Sequence, residues 1–339
     1  MNQFYKLIWL AGSILFAQFP VFAEQTDRSL VPNMFAPEST PAHAISHLAV
    51  FVLVITAAIF VVVASLLTYV IIRFRGRAND EGTEPAQIYG SGLIEAAWTT
   101  VPFLIVVVLS LTTARVIHAV QDARKPADAL DVQVIGHQWW WEIRYPKLGI
   151  VTANEIHVPA SKATFLDLRS ADVVHSFWVP RLAGKIDLVP NQVNSMWIEP
   201  ERPGLFVGQC GTYCGTQHAW MLLRVYVETS ENFDQWVAKQ RKLAENEPTV
   251  SAGRLVFERT ACINCHAVNG TIATGRFGPD LTHLMSRDTL GSGVLTNSLE
   301  MLRAWIKSPG QFKPGVFMPA MNLSDADLDQ VVNYLTTLK

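Results

Sequence analysis

The sequence contains very few cysteines and few charged residues for its length. Only four of its 339 residues are cysteines, which is too few for a scaffold held together by disulfide bonds. Charged residues make up 17% of the chain, and the formal net charge is −2. This balance argues against nucleic-acid binding, which usually requires a strong basic excess. With half of the residues hydrophobic, the composition also excludes a disordered chain.

Hydrophobic residues are abundant instead, and the longest apolar runs lie within the first 120 residues. Residues 48–72 and 98–117 are each long enough to cross a bilayer about 30 Å thick as a helix rising about 1.5 Å per residue. Residues 1–23 combine a lysine, an apolar stretch and a final alanine, which is the pattern of a secretory signal. The sequence therefore predicts a signal peptide over 1–23 and a transmembrane two-helix hairpin within 24–120.

The distribution of arginine predicts how this hairpin is oriented. Three arginines follow the first apolar run, at positions 73, 75 and 77, whereas residues 24–47 hold only Arg28. By the positive-inside rule, the loop between the two spans is cytoplasmic. The N-terminus and everything after residue 118 then lie outside, which for a chain with a bacterial-style signal is the periplasmic or outer face of the inner (plasma) membrane.

Glu95 lies where the predicted cytoplasmic loop meets the second span. A carboxylate at that depth is costly, so one interpretation is proton uptake at the interface with a partner. The other is a solvated acid at the start of a helix, where the helix dipole favours negative charge. The residues alone leave both interpretations open.

From about residue 128 to 228 the sequence changes to short β-rich runs broken by proline and glycine, which is typical of a β-sandwich or barrel, and the domain that contains them is predicted to span 128–240. This region holds two thiols, two imidazoles and a thioether, a soft ligand set that favours copper. Two thiolates can bridge two copper ions, leaving one histidine and one weak ligand for each. The candidate ligands are His175, Cys210, Cys214, His218 and Met221.

Two other uses of these side chains stay open. Cys210 and Cys214 could form a disulfide bond, or the two cysteines and two histidines could bind zinc. A disulfide leaves both histidines and Met221 unexplained, and zinc leaves Met221 unexplained. Copper accounts for all of the side chains, so the sequence favours it.

Taken as a whole, the chain resembles subunit II of haem-copper cytochrome c oxidases. The resemblance is carried by the signal, the two-span hairpin, the His-Ser-Phe-x-Val-Pro motif at 175–180 and the Cys-x₃-Cys-x₃-His-x₂-Met motif at 210–221. It implies a cupredoxin fold that holds the binuclear copper centre CuA. The implied ligands are His175, Cys210, Cys214, His218, Met221 and the backbone carbonyl of Thr212.

The resemblance also implies roles for residues outside the ligand set, and it departs from the family at one position. The family usually carries glutamate where this chain has Thr212, and that glutamate reaches a magnesium ion at the interface with subunit I, so a magnesium site is in doubt here. Trp139 matches the tryptophan that receives electrons from cytochrome c. Glu95 matches the acid that opens a proton channel into subunit I, and Asp187 matches an acid near the same interface.

The tryptophan-rich segment 136–141 resembles the family's aromatic strand, which implies that it forms a strand here. Successive side chains of a strand point to opposite faces, so Trp139 and Trp141 would share one face and Trp140 would occupy the other. For Trp140 and Trp141, packing in the core is the favoured interpretation.

Residues 251–339 are predicted to form a second external domain. Cys262, Cys265 and His266 form the C-x-x-C-H signature of covalent c-type haem, in which two thiols add to the porphyrin vinyl groups and the imidazole binds the iron. A redox disulfide or half of a zinc site would not require the histidine. The sixth iron ligand is expected to be a methionine. Met318, which is followed by proline, is preferred over Met321.

These assignments predict a multi-domain chain: a two-helix transmembrane hairpin, a cupredoxin-like β-sandwich and an all-α class I cytochrome c domain. Subunit II followed by cytochrome c is the arrangement of cytochrome c-fused oxidases. The haem domain is then a tethered donor, and its effective concentration is high enough that docking need not be tight.

The predicted function is the subunit through which electrons enter a terminal oxidase. Electrons from a soluble cytochrome c or a membrane cytochrome complex would pass through haem c and CuA to the haem-copper centre of subunit I, where oxygen is reduced and protons are pumped. The predicted partners are subunit I, other oxidase subunits and the membrane, with no nucleic acid, and no residue of this chain is itself catalytic. The alternatives are a nitric-oxide reductase module and a membrane-anchored copper carrier, although a carrier would not need covalent haem. A quinol-oxidase subunit would lack the copper ligands.

Overall fold

The computed structural model describes residues 31–75, 87, 89–121, 124–243 and 250–339. The predicted signal peptide over 1–23 and the arginine at position 77 therefore lie outside the described residues. Two long helices come first, α1 (Thr40–Arg73) and α2 (Gly92–Gln121). Both are long and apolar enough to cross a membrane, in agreement with the predicted two-pass hairpin.

The first helix begins before the apolar run that predicted it. Ser39 is its N-cap and Pro41 lies in its first turn, where the missing amide hydrogen of proline costs no helical hydrogen bond. Glu38, just outside the helix, accepts hydrogen bonds from Arg181 (2.8 Å) and Arg202 (2.6 Å). These contacts attach the start of α1 to the external domain that follows the hairpin.

The next part of the chain is a β-sandwich, which confirms the predicted fold class. The strands are β1 (Leu130–His137), β2 (Trp140–Tyr145), β3 (Ile150–Ala153), β4 (Glu155–Pro159), β5 (Thr164–Ser170), β6 (His175–Trp178), β7 (Ile186–Leu188), β8 (Asn194–Ile198), β9 (Gly204–Cys210) and β10 (Leu222–Glu228). They form two five-stranded sheets, in the orders β3-β2-β1-β5-β8 and β4-β10-β9-β6-β7. Alternate residues of β1 and β10 are buried, because each sheet turns one face to the shared core.

The segment 136–141 is not one strand, so that prediction is wrong. His137 ends β1 and pairs with Trp140, the first residue of β2. Gln138 and Trp139 form the turn between these antiparallel strands, and a turn does not follow the two-residue alternation of a strand. Trp140 and Trp141 are buried, as expected for packing residues.

The last part of the chain is mainly helical and has its own apolar core. Gly253 of the first helix in this domain lies against the carbonyl of Gln330 in the last helix, where a Cβ would come within 2.0 Å of the oxygen, so only glycine permits this close crossing. Ser324 caps the last helix by accepting a hydrogen bond from the amide of Asp327 (3.1 Å), as predicted. A separate helix, α3 (Ser230–Gln240), precedes this domain and packs on the sandwich. The helices of the domain are α4 (Ser251–Arg259), α5 (Cys262–Cys265), α6 (Leu299–Lys307), α7 (Pro309–Phe312) and α8 (Asp325–Leu335). Two short strands, β11 (Thr289–Leu290) and β12 (Leu295–Thr296), pair with each other.

Candidate functional site

The predicted copper ligands lie at one end of the β-sandwich. Cys210 ends β9, and the chain returns through a 3₁₀ turn over His218–Trp220 to Met221, which directly precedes β10. The amide of Cys210 donates to the carbonyl of Met221 (3.0 Å), so the hydrogen bonding between the two strands closes this loop. His175 begins the neighbouring strand β6, and the sheet therefore brings it to the same place. We call residues 210–221 the copper-ligand loop.

The sulfur and nitrogen atoms of these residues converge. The Sγ atoms of Cys210 and Cys214 are 3.8 Å apart, and both cysteines are buried and free, so the structure gives no support to a disulfide. The Sγ of Cys214 lies 3.7 Å from Nδ1 of His218 and 3.9 Å from Sδ of Met221. The Sγ of Cys210 lies 3.1 Å from the carbonyl oxygen of Thr212. A ring nitrogen of His175 lies within 4.8 Å of both cysteine sulfurs. All six predicted ligands therefore lie close together.

His175 is held in the orientation that a metal ligand requires. Its ring nitrogen Nε2 is 2.8 Å from Oδ1 of Asp172, and one of its ring nitrogens lies within 4.8 Å of both cysteine sulfurs. Its Nδ1 is buried and has no hydrogen-bond partner in the described part of the chain. A Cβ on Gly136 would come within 2.7 Å of the imidazole ring, so this glycine makes room for it. An unpartnered nitrogen beside two thiols fits a metal ion.

The two thiols differ in acidity. Contact with the Cys214 thiol lowers the pKa of Cys210 below its usual range. Contact with Cys210, together with burial, raises the pKa of Cys214. Because thiolates are the form that binds metal, this pair would release its remaining proton when a cation enters.

The C-x-x-C-H residues line a cavity between the helical domain and the β-sandwich, whose Trp139 and Trp140 also line it. Cys262, Cys265, His266, Met318 and Met321 all belong to its lining. Most of the remaining lining is apolar, as a porphyrin ring requires. Both methionines therefore remain candidates for the sixth ligand by position. Met318, unlike Met321, also packs against the buried core of this domain.

The imidazole of His266 is oriented by the segment 278–279. Its Nδ1 lies 2.8 Å from the carbonyl oxygen of Pro279, which directs the other nitrogen away from that segment. A Cβ on Gly278 would come within 2.6 Å of the ring, so glycine is required for this close approach. Burial lowers the pKa of His266 and keeps the imidazole neutral, which is the form that binds iron.

Glu95 and Asp187, the acids predicted to open a proton channel and to lie near subunit I, are not among the predicted copper ligands or the residues that line the haem cavity. Glu95 is exposed in the first turn of α2, a position that fits a solvated acid and a partner-facing acid equally well. Asp187 is exposed on β7, and its Oδ1 lies 3.4 Å from the hydroxyl of Thr212.

Known families match three consecutive parts of the chain. Residues 31–116 match the family described as cytochrome c oxidase subunit II, transmembrane domain, residues 149–228 match its periplasmic domain, and residues 250–339 match cytochrome c. Curated proteins named cytochrome c oxidase subunit 2 match as well. The protein from Alkalihalophilus pseudofirmus is 33% identical over 89% of this chain and 90% of its own length, and the protein from Bacillus sp. strain PS3 is 32% identical over 78% and 80%.

The chain belongs to the cytochrome c oxidase subunit II family. It is thus part of an oxidoreductase complex and serves as the subunit through which electrons enter. The C-terminal cytochrome c domain places it with the members that carry a fused haem domain. The family match implies copper and haem c binding in general.

Trp139 of this subunit II is covered by the chain's own cytochrome domain. Only 7% of its surface is exposed. Its indole N–H donates to the carbonyl of Cys214 (2.9 Å), and its ring lies 4.8 Å from the ring of Phe317, the neighbour of Met318. The sequence places Trp139 and Phe317 far apart, so this contact could not be predicted from their spacing.

The β-sandwich and the cytochrome c domain share a polar interface that the sequence did not predict. The buried carboxylate of Glu155 in β4 accepts hydrogen bonds from the amides of Asp288 (3.1 Å) and Thr289 (2.9 Å) and from the Thr289 hydroxyl (2.7 Å). The hydroxyl of Tyr226 donates to Asp288 (2.6 Å), and Nε of Arg287 donates to Thr152 (3.3 Å). The cytochrome domain is therefore seated on the β-sandwich, whereas the sequence had suggested only a tethered donor.

Proposed function

We propose that this subunit II passes electrons from haem c to a binuclear copper centre within one chain. The single observation that supports this most directly is the contact of Trp139 with both the copper-ligand loop and Phe317. We divide the chain accordingly into the hairpin (24–120), the copper domain (128–240) and the cytochrome domain (251–339).

The convergent side chains fit binuclear copper better than zinc. Zinc would use two cysteines and two histidines in a closed tetrahedral site and would leave a thioether unused. Here Sδ of Met221 lies close to Cys214, and the carbonyl of Thr212 lies close to Cys210. Each thiol thus has one imidazole and one weak donor nearby, as a pair of bridged copper ions would require. The proposed ligands are His175, Cys210, Thr212 (carbonyl), Cys214, His218 and Met221.

The cavity of the cytochrome domain fits covalent haem. Cys262 and Cys265 would attach the porphyrin, and His266 and Met318 would bind the iron. When bound, haem c and the copper pair would supply one-electron chemistry for delivery to the haem-copper centre of subunit I. The chain's own residues keep the imidazole neutral and oriented and surround the porphyrin with apolar side chains.

Because Phe317 covers Trp139, an outside donor must deliver electrons at another place. A soluble cytochrome c or membrane cytochrome complex cannot contact a tryptophan that is buried under Phe317. Such a donor would therefore deliver its electron to the cytochrome domain. We propose that Trp139 relays electrons inside the chain rather than receiving them from outside.

The arginines after the first span support a location of these events on the outer face of the membrane. Arg73 and Arg75 end the first span, which by the positive-inside rule puts the connecting loop in the cytoplasm and both C-terminal domains in the periplasm or at the outer surface. Glu95 would then face the cytoplasmic side, where we propose that it opens a proton channel into subunit I. Nothing in the comparisons favours the nitric-oxide reductase alternative.

Purification of the intact complex from membranes tests this proposal. Optical and EPR spectra should show haem c and a mixed-valence copper pair in the fraction that contains a large haem-bearing partner, and the complex should consume oxygen. If subunit II purifies with covalent haem but with zinc in place of copper, the electron-transfer proposal is wrong. Consumption of nitric oxide without consumption of oxygen would favour the reductase.

A further inference from the structure

Lys313 is a buried lysine between the two external domains. It directly follows α7 of the cytochrome domain, and only 2% of its surface is exposed. Its Nζ donates to the carbonyl of Trp139 (3.2 Å) and to the carbonyl of Trp220 (3.1 Å). Both carbonyls belong to the copper domain, whereas Lys313 belongs to the cytochrome domain. The lysine side chain therefore crosses the interface between the two domains.

A lysine in this position needs an explanation, because burial of an ammonium group is costly unless hydrogen bonds compensate for the lost water. Burial lowers the pKa of Lys313 to about 8. In the part of the chain that the structure describes, no carboxylate forms an ion pair with it. The two carbonyl groups therefore provide its hydrogen bonds. Because a hydrogen bond depends on both distance and angle, these contacts fix where the ammonium group lies.

The residues after Lys313 lie along the copper-ligand loop. The side-chain amide of Gln217 donates to the carbonyl of Pro314. Gly315 has a φ of +87°, and a Cβ there would come within 3.2 Å of the methyl group of Thr216, so glycine allows the two loops to approach closely. Phe317 then reaches the ring of Trp139.

The contacts join the two loops that carry the proposed cofactor ligands. The segment 313–318, which we call the methionine loop, ends at Met318. The copper-ligand loop holds His218 and Met221 on either side of Trp220, whose carbonyl binds Lys313. A displacement of Lys313 would therefore separate Phe317 from Trp139.

We propose that Lys313 is a positioning residue that holds the methionine loop on the copper-ligand loop and so keeps the two redox sites in permanent contact. This inference rests on the proposed function, because it concerns transfer between the same two sites. Electrons would pass between the sites without an encounter step. Because the contact is buried and uses carbonyl groups, added salt should not slow this internal transfer, although it should slow delivery by a charged external donor.

The intact complex carrying Lys313→Met tests the proposal, with two readouts besides enzyme activity. Optical spectra report whether both cofactors are still bound. Hydrogen exchange reports whether the amides of 215–220 are protected. Removing a charged hydrogen-bond donor should raise amide exchange in this segment about tenfold. Both cofactor bands should remain, and light-triggered transfer from haem c to copper should slow several-fold.

Two further variants make the result specific to position 313. Lys307→Met removes an exposed lysine of the same domain, whose partner is Asp325 (3.2 Å), and should behave as wild type in all measurements. Lys313→Arg keeps the charge and the donors and should restore most of the transfer rate. Salt up to about 1 M should leave the wild-type internal rate unchanged, since the Debye length then falls to about 3 Å and screens exposed charges only.

The outcomes separate the inference from the proposed function. If Lys313→Met keeps both bands, the wild-type exchange and the wild-type internal rate, the positioning role is wrong. If the wild-type complex itself shows no transfer from haem to copper, the proposed function fails instead. Should Lys313→Met not assemble, Lys313→Leu, which also removes the donor, is measured in the same way, and wild-type values there also overturn the role.

Discussion

The ring of Phe317 lies 4.8 Å from the ring of Trp139. Phe317 precedes the proposed haem ligand Met318, whereas Trp139 donates a hydrogen bond to the carbonyl of the proposed copper ligand Cys214 (2.9 Å). A single aromatic contact therefore links residues adjacent to the two proposed redox sites. Under the proposed function, the cytochrome domain would not need to dock and undock between electrons.

Loss of the aromatic ring at 317 should weaken this link. Phe317→Leu keeps an apolar side chain but removes the ring, so we expect transfer from haem c to copper to slow several-fold while both cofactors stay bound. Flash photolysis of the purified complex measures the rate. Leu299→Ala, an exposed change in α6, is the control and should leave the rate unchanged. A wild-type rate in Phe317→Leu would show that the contact is not part of the route.

The copper assignment predicts different results at two neighbouring positions. Cys210→Ser removes a bridging thiolate, so the near-infrared band of the copper pair and most of the bound copper should be lost while haem c remains. Thr212→Val should retain copper, because Thr212 would contribute only its backbone carbonyl. Metal analysis and optical spectra make the comparison. An intact near-infrared band in Cys210→Ser would contradict the binuclear site.

The two methionines in the haem cavity make a matched pair for testing the sixth ligand. Met318→Leu should remove the low-spin spectrum of haem c, since leucine offers no sulfur to the iron. Met321→Leu should leave that spectrum in place. Visible spectra of the reduced and oxidised complexes distinguish the two. The reverse result would assign the sixth position to Met321.

The buried carboxylate at the domain interface should contribute to stability. Glu155→Ala leaves the amides of Asp288 and Thr289 and the Thr289 hydroxyl without their acceptor. We expect the docked arrangement to lose about 3 kcal/mol, as is usual when buried donors lose a charged partner. Hydrogen exchange at these amides measures the loss. Glu300→Ala, an exposed acid in α6, should have no such effect, and equal exchange in both variants would refute the prediction.

Glu95 can be tested by removing its charge alone. If it opens a proton channel, Glu95→Gln should slow turnover and proton uptake from the cytoplasmic side without changing the copper or haem spectra. Proton uptake by the complex reconstituted into vesicles is the measurement. Unchanged turnover would return Glu95 to the simpler interpretation, a solvated acid at the start of α2.

Much of this protein could be predicted because its signals are local in the chain. Cys210, Cys214, His218 and Met221 lie within one loop, and the haem-binding cysteines lie within one turn of helix. Residues so close in sequence must lie close in space, so their spacing alone indicates the chemistry. The apolar runs predicted both membrane helices for the same reason, since a bilayer requires continuous length.

The tryptophan-rich segment shows where such local reasoning stops. The resemblance to the family implied one strand over 136–141, but strand pairing makes Gln138 and Trp139 a turn. Whether a stretch continues as a strand or turns back depends on the partner strand, which the local pattern does not specify. The same pairing brings Trp139 beside Cys214.

The sequence by itself determined the domain order, the membrane spans and the ligand types. Only the tertiary structure decided that the cytochrome domain sits on the copper domain, with Lys313 and Glu155 buried between them. Lysine and glutamate are usually exposed, so their identity predicts a surface position. They are buried here because the carbonyl and amide groups that bind them lie more than ninety residues away in the chain and meet them only after both domains have folded.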